Sequence, residues 1–402
     1  MSARAAAASQ SLWRSAVVRA VFLTNLAGFV SFSATLGALP LRAAQLGHPE
    51  AVVGTVTGVM LAVTVATQLV AGALMRRWSV RTLLVAGAVL LGAPSPAYLL
   101  VDDLGSWYVL SAVRGVGFAL LTVVGAVAIP RAAPRERQGE AIGIYGLSAA
   151  IPNMVVVSAT TALTLDGRFP VVAWFAAAPL LALVVRGLPR DRVGAEPGRR
   201  DGRGALGPTV RRLLLPTATL FLVTMCGGGL VTVLPLQRPD GPVAAVALLV
   251  YGATGALARW RVGHLTDRRG HRVVTPVLLV LGTAGLAAVA LGLRDADVGG
   301  TASLVVGAGL FGVAFGALQS VTLDVSLARV PDAHAPTASS VWNAAFDGGT
   351  AAGAALLGFL AGAAVGGPAA VGAGALGLGV LAVVSVMSRD RTTARATFVS
   401  AP

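Results

Sequence analysis

Long apolar stretches separated by short polar segments dominate the hydrophobic pattern of this chain. A helix that crosses a bilayer uses about 20 mainly apolar residues. Stretches of about that length predict twelve spans, at 21–39, 52–75, 83–101, 107–129, 141–163, 169–185, 213–234, 243–258, 273–293, 302–323, 338–361 and 369–387. The pattern therefore predicts an all-α protein that crosses a membrane many times.

The composition agrees with this interpretation. Hydrophobic residues make up 55% of the 402 residues, and charged residues only 12%, against about 25% in an ordinary soluble domain. There are too few charged side chains to cover the surface of a soluble globule of this size. A soluble enzyme is therefore excluded.

The net charge of +14 comes from 31 basic residues, all of them arginine, and 17 acidic ones. With the amino terminus inside, 26 arginines fall in cytoplasmic segments, against four on the other side, Arg42, Arg168, Arg238 and Arg294. Positive charge collects on the cytoplasmic side of membrane proteins, so both termini are predicted to be cytoplasmic. Because this rule explains the basic segments, nucleic acid is not expected as a partner. The absence of lysine beside so much alanine, glycine and valine suggests a bacterial protein of the inner, or cell, membrane.

The stretch 186–212 carries eight arginines with several glycines and prolines, so we expect a flexible cytoplasmic linker there. It separates an amino-terminal half, 1–185, from a carboxy-terminal half with a cytoplasmic tail, 213–402. Three landmarks recur at offsets of about 200 residues: a proline after the first span, a basic glycine turn after the second and a proline after the fourth. Duplicated six-helix halves joined by a linker are a transporter architecture.

One turn carries a more specific motif. The sequence GHLTDRRGHR resembles the signature GxLxDRxGxR of the major facilitator superfamily through Gly263, Leu265, Asp267, Arg268, Gly270 and Arg272. The corresponding turn in the first half, GALMRRWSVR, keeps Gly72, Leu74, Arg77 and Arg81, while Arg76 replaces the acid and Ser79 the second glycine.

This resemblance extends over the whole chain. It implies two six-helix bundles related by pseudo-twofold symmetry. It also implies a gating role for the two turns, which would hold the cytoplasmic side closed when the protein faces outward. The alternative is that both turns are solvated basic segments that only set the orientation. In the fifth span, Gly146 and Pro152 resemble the antiporter motif of the same family.

Two ionisable residues lie well inside predicted spans. Because charge is costly inside a membrane, an ionisable residue there is by default a candidate for a functional role. Arg114 resembles the arginine of the family's fourth-span motif. It would contact an anionic substrate or relay a proton, or else pair structurally with backbone carbonyls. Asp347 would be a protonatable coupling site, or else form an ion pair with Arg76 or Arg77.

The large amides Asn25, Gln319 and Asn343 also lie within spans. The family resemblance implies that the first, fourth, seventh and tenth helices line a central cavity, which places Asn25, Arg114 and Gln319 near a ligand. Buried amides also join neighbouring helices, so both roles remain open. The glycines at 227–229 would either bend the seventh helix or allow close packing.

No residues are arranged for catalysis, and no metal site or cofactor is predicted. The four histidines lie in loops without metal-ligand spacing, and no phosphate-binding Walker loop is present. The sequence therefore predicts a monomeric secondary transporter, whose partners are a small apolar or amphipathic substrate, protons and the lipid bilayer, and whose activity is efflux. The alternatives are an integral membrane enzyme for a lipid-linked substrate and a transporter-like receptor without flux.

Overall fold

The structure of the chain is a computed structural model that describes residues 11–134, 137–192, 206–239, 242–295, 297–330, 335–363 and 365–399. Within these ranges the chain is almost entirely helical. The only extended pairing among them is an isolated antiparallel bridge between Ser79 and Arg192. The predicted all-α fold class is therefore confirmed.

The α-helices in chain order are α1 (Ala16–Leu36), α2 (Ala38–Gln45), α3 (Glu50–Val53), α4 (Thr55–Arg77), α5 (Val80–Gly92), α6 (Leu104–Arg131), α7 (Gln138–Leu165), α8 (Phe169–Phe175), α9 (Leu206–Gln237), α10 (Val243–Arg269), α11 (His271–Gly292), α12 (Val298–Ala328), α13 (Ala335–Gly362) and α14 (Gly366–Val399). Short 3-10 helices occur at Leu12–Arg14, Pro96–Leu99 and Ala178–Leu183.

Eleven stretches of the described chain are long and apolar enough to cross a membrane. The sixth predicted span, 169–185, instead consists of the short helix α8 and the 3-10 helix Ala178–Leu183. Pro179 contributes to this interruption, because proline has no N–H and its ring clashes with the carbonyl four residues earlier, that of Phe175. Twelve spans therefore stay a prediction.

Two helix ends differ from the sequence interpretation. Helix α9 begins at Leu206, inside the predicted linker. Helix α10 continues to Arg269, so the predicted end of the eighth span at residue 258 was too early. One arginine of this extension has an aromatic partner, since the guanidinium carbon of Arg261 lies 4.5 Å from the centre of the Trp260 ring.

The chain forms two compact units. Unit 1 contains Met1–Ala38 and Val59–Arg200, and unit 2 contains Leu39–Gly58 and Asp201–Pro402. Each unit has its own core, with Trp107 fully buried in unit 1 and Phe311 in unit 2. The predicted division at 186–212 stays a prediction.

A segment from the first half of the sequence, Leu39–Gly58, belongs to unit 2. Its helix α3 packs against α13. A side chain at Gly54 would overlap the carbonyl oxygen of Ala354, so the two backbones approach closely. The Gln237 side-chain amide also donates a hydrogen bond to Glu50 Oε2 at 3.3 Å. These contacts attach the segment to α13 and to the end of α9.

Candidate functional site

Arg114, the arginine predicted inside the fourth span, is fully buried in α6. Its Nε donates to the Leu91 carbonyl at 3.2 Å. Its Nη2 donates to the Ser31 carbonyl at 3.2 Å, to Ser31 Oγ at 3.1 Å and to Thr35 Oγ1 at 2.9 Å. Among the described residues it forms no ion pair, and Nη1 has no hydrogen-bond acceptor. Uncharged oxygens of α1 and α5 therefore surround this cation.

The same network reaches the interruption after α8. Ser31 Oγ donates to the Ala176 carbonyl at 2.5 Å, and Ser95 Oγ donates to the carbonyls of Ala176 and Leu91, each at 3.2 Å. Ala176 follows the last residue of α8, where the carbonyls of a helix end need other donors. The serines thus connect the buried arginine to the broken sixth segment of unit 1.

Asn25 lies elsewhere in unit 1, between α1 and α6. Its Nδ2 donates to the Val21 carbonyl at 2.9 Å. A side chain at Gly125 would overlap the Asn25 amide, so this glycine makes room for it. No described residue donates to Asn25 Oδ1, which is buried. The geometry is that of an amide packed between helices, and contact with substrate stays a prediction.

A further, partly buried polar contact in unit 1 was not predicted from the sequence. Ser33 Oγ donates to Asn153 Oδ1 at 2.7 Å, which joins α1 to α7. Asn153 follows Pro152, which was singled out in the sequence, whereas the amide next to it was not. A search for every amide inside a predicted span would have found it.

In unit 2, Gln319 is buried on α12, and its Oε1 accepts a hydrogen bond from Arg259 Nη1 at 3.0 Å. Arg259 escaped the sequence analysis because the eighth span was predicted to end one residue before it. The apolar residues Trp260, Val262 and Leu265 beyond it were the available signal of a longer span. This hydrogen bond joins α10 to α12, and the guanidinium group of Arg259 is a positive charge within unit 2.

A row of aromatic side chains lies between α10, α12 and α13. The ring centroids of Tyr251 and Phe315 are 5.1 Å apart, those of Phe315 and Phe346 are 6.4 Å apart, and those of Phe346 and Trp342 are 5.8 Å apart. Phe315 and Phe346 are half-buried. Gln319 lies one turn after Phe315 on α12. Apolar rings and hydrogen-bonding groups are therefore neighbours in unit 2.

The remaining two candidates occupy successive turns of α13. Asn343 is exposed, and its Nδ2 donates to the Ser339 carbonyl at 2.8 Å. Asp347 is only 8% exposed. Residues four apart lie on the same side of a helix, so α13 presents an amide and a carboxyl along one face. Their roles in binding and coupling stay predictions.

The glycines at 227–229 serve close packing. Helix α9 runs through them without interruption. A side chain at Gly228 would overlap the carbonyl of Thr350, and one at Gly229 would overlap Leu357. Of the two interpretations open from the sequence, the structure shows that small residues let α9 approach α13.

The two signature turns differ in local structure. Gly270, between α10 and α11, has φ +74 and ψ 147. In the first copy, Ser79 has φ −71 and ψ 154, and its Oγ accepts a hydrogen bond from Thr82 N at 3.1 Å. Arg76 is exposed, and its Nη1 would lie 4.0 Å from a Cβ atom placed on Gly72. The side chain of Asp267 lies outside the described part of the structure, and the latch stays a prediction.

Comparison with solved structures shows the same fold. A variant of the nucleoside transporter NupG is 15% identical, with a TM-score of 0.71 over 92% of this chain and 98% of that chain. A bacterial homolog to the human lysosomal transporter Spinster, solved in an inward-facing and unoccupied conformation, is 16% identical, with a TM-score of 0.68 over 92% and 93% of the chains. A variant of the peptide transporter POT is 13% identical, with a TM-score of 0.71 over 93% and 94%. No curated protein matches by sequence.

The many apolar helices indicate a multi-pass membrane protein, and its fold is that of these solved transporters. The family model of the Major Facilitator Superfamily matches residues 21–326, which is more than half of the 402 residues. The chain therefore belongs to the major facilitator superfamily, as the signature turn indicated. The family and the similar structures point to a transporter rather than an enzyme.

Proposed function

We propose that the protein is a secondary active transporter that exports a small apolar or amphipathic molecule in exchange for protons, by alternating access. The family match over residues 21–326 carries the transport function. The half-buried rings of Phe315 and Phe346 beside the Arg259–Gln319 hydrogen bond support a ligand with apolar and polar parts. Because no Walker loop is present, an ion gradient is the energy source in this proposal.

The proposed coupling site is Asp347. Its carboxyl group is nearly buried in a span-forming helix, where protonation removes a charge that is costly to keep. Gain and loss of this proton would shift the equilibrium between two conformations, because the two conformations stabilise the charged form of Asp347 to different extents.

Counterflow in proteoliposomes tests transport itself. Vesicles loaded with one member of a panel of amphipathic cations, neutral amphipathic molecules and nucleosides would be diluted into a labelled trace of the same compound. Accumulation of the label above that in protein-free vesicles is expected for at least one class. Binding without counterflow would indicate a transporter-like receptor without flux. Chemical conversion of the probe would indicate an integral membrane enzyme.

Substitution of Asp347 by asparagine tests the coupling. Asp347→Asn is expected to abolish accumulation driven by a pH gradient while exchange of substrate down its own gradient continues, because binding is intact and the titration is lost. The matched control is Asp324→Asn, which changes an exposed acid near the end of α12 and should retain proton-driven transport. Equal loss of both activities together with folded yield would instead assign Asp347 a structural ion pair.

We further propose a bacterial cell membrane location with both termini and the 186–212 segment in the cytoplasm, from the arginine asymmetry. Topology reporters fused at the carboxyl end and after Arg200 should give cytoplasmic signals. An exported signal from either fusion would contradict this orientation.

A further inference from the structure

Residues 187–192, here called the strap, lie along the turn between α4 and α5 in unit 1. Val80 N donates to the Asp191 carbonyl at 3.0 Å, and Arg81 N donates to the Pro189 carbonyl at 2.8 Å. Ser79 and Arg192 form the antiparallel bridge. The first part of the predicted flexible linker is therefore attached to unit 1 by backbone hydrogen bonds.

The beginning of the strap is fixed as well. Leu188 is buried. Gly187 has φ +92, and a side chain there would lie 3.2 Å from the Ala16 carbonyl at the start of α1. A positive φ at this position favours glycine. The strap thus passes the first residue of α1 and then follows the 79–81 backbone.

This pairing gathers arginines that are distant in sequence. Arg77 and Arg81 belong to the turn, Arg190 and Arg192 belong to the strap, and all four are exposed. Opposed residues of an antiparallel pair have Cα atoms about 4.5–5.5 Å apart, well within the reach of arginine side chains. Among the described residues none of the four forms a hydrogen bond or ion pair through its side chain. Asp191 is the acidic residue of the strap, so positive charge is in excess.

The position of these arginines indicates what they bind. They lie where two membrane-spanning stretches, Glu50–Arg77 and Val80–Leu99, end and begin. Trp78, between them, is 48% exposed, and tryptophan is enriched at membrane interfaces. Arginine forms paired hydrogen bonds with phosphate oxygens, and basic residues beside a membrane are attracted to anionic lipids.

We propose that the strap and the 77–81 turn together form a binding surface for the phosphate headgroup of an anionic phospholipid, and that docking of the strap completes this surface. The exposed indole of Trp78 favours a lipid over free phosphate, because it places an apolar ring next to the guanidinium groups. The proposal does not depend on which substrate is transported.

The test is lipid binding to the purified, delipidated full-length protein, with bound lipids counted by native mass spectrometry. Wild type should bind phosphatidylglycerol more tightly than phosphatidylcholine. The strap variant Arg190→Gln/Arg192→Gln should lose phosphatidylglycerol affinity by about fivefold for each arginine removed, with phosphatidylcholine binding unchanged. The matched control, Arg131→Gln/Arg294→Gln, removes the same charge from exposed positions outside the surface and should bind like wild type.

A variant that preserves the charge separates the effect of strap docking from the effect of the arginine charges. Val80→Pro removes the N–H that donates to Asp191 at the first residue of α5, where proline is tolerated. Ser79 already has the extended conformation that suits a residue before proline. This variant should lose phosphatidylglycerol affinity although it keeps every arginine.

Three results would overturn the proposal. The first is unchanged phosphatidylglycerol binding by either the strap variant or Val80→Pro at equal folded yield. The second is an equal loss in the control variant, which would show that only net charge matters. The third is displacement of the bound lipid by inorganic phosphate, which would make free phosphate the ligand.

Discussion

The two copies of the signature turn reverse the chain by different means. In unit 2 a single residue, Gly270, separates α10 from α11 and has a positive φ. In unit 1 two residues separate α4 from α5, and Ser79 caps α5 with its hydroxyl while its φ stays negative. The described part of the chain shows no side-chain cap at the start of α11.

This difference is consistent with the serine at position 79, where the signature has its second glycine. A serine with negative φ does not need the conformational freedom of glycine, so the glycine was dispensable there. The extended backbone of Ser79 also allows the bridge to Arg192. The same position of the repeat is thus Gly270 in a tight reversal in unit 2, and Ser79 in an extended segment that pairs with the strap in unit 1.

The largest effect is expected from Gly270→Ala. Its φ of +74 with ψ 147 lies where residues with a Cβ cost about 1–3 kcal/mol, although no atom of the described residues lies close enough to clash with the added methyl. Thermal unfolding in detergent should show a clear loss of stability. Full stability in this variant would mean that the second turn tolerates the conformation of the first.

The next effect concerns the acid that only the second copy retains. Asp267→Asn should reduce transport at least about fivefold at equal protein level, as expected for a coupling energy of 1–3 kcal/mol. The neutral amide keeps the shape of the side chain and weakens charge-assisted hydrogen bonds. Counterflow and cysteine accessibility on both faces would measure it. Unchanged flux would leave the turn with an orienting role only.

A smaller effect is expected at the cap of the first copy. Ser79→Ala should cost about 1 kcal/mol of stability, whereas Ser79→Gly should cost only a few tenths. Thermal unfolding of the two variants side by side would measure the difference. A larger loss in the glycine variant than in the alanine variant would contradict the capping role.

The smallest effect is expected for Arg76→Gln. The side chain is exposed and forms no hydrogen bond or ion pair with a described residue, so stability should change by less than about 0.5 kcal/mol. Unfolding and transport of this variant would both be measured. A strong loss of either would contradict the interpretation of Arg76 as a solvated side chain.

The class of protein and most of its helices could be predicted from the sequence alone. Span length and apolar composition are local properties, so eleven of the twelve predicted stretches appear as helical segments that are long and apolar enough to cross a membrane. The signature around Gly263 and Asp267 is also local, and it identified the family that the match over 21–326 confirmed. The ends of helices were harder to predict. Helix α10 continues through Trp260 and Leu265, although the arginines around them are of the kind that usually marks a membrane boundary.

The contacts between polar groups, in contrast, could not be predicted without the tertiary structure. The oxygens around Arg114 come from Ser31, Thr35 and Leu91 on two other helices, and the donor to Gln319 comes from Arg259, 60 positions away. The strap likewise meets a turn more than a hundred residues earlier in the chain. Such contacts depend on the rotation and packing of whole helices, which the hydrophobic pattern of a span does not specify because it is apolar on nearly every side.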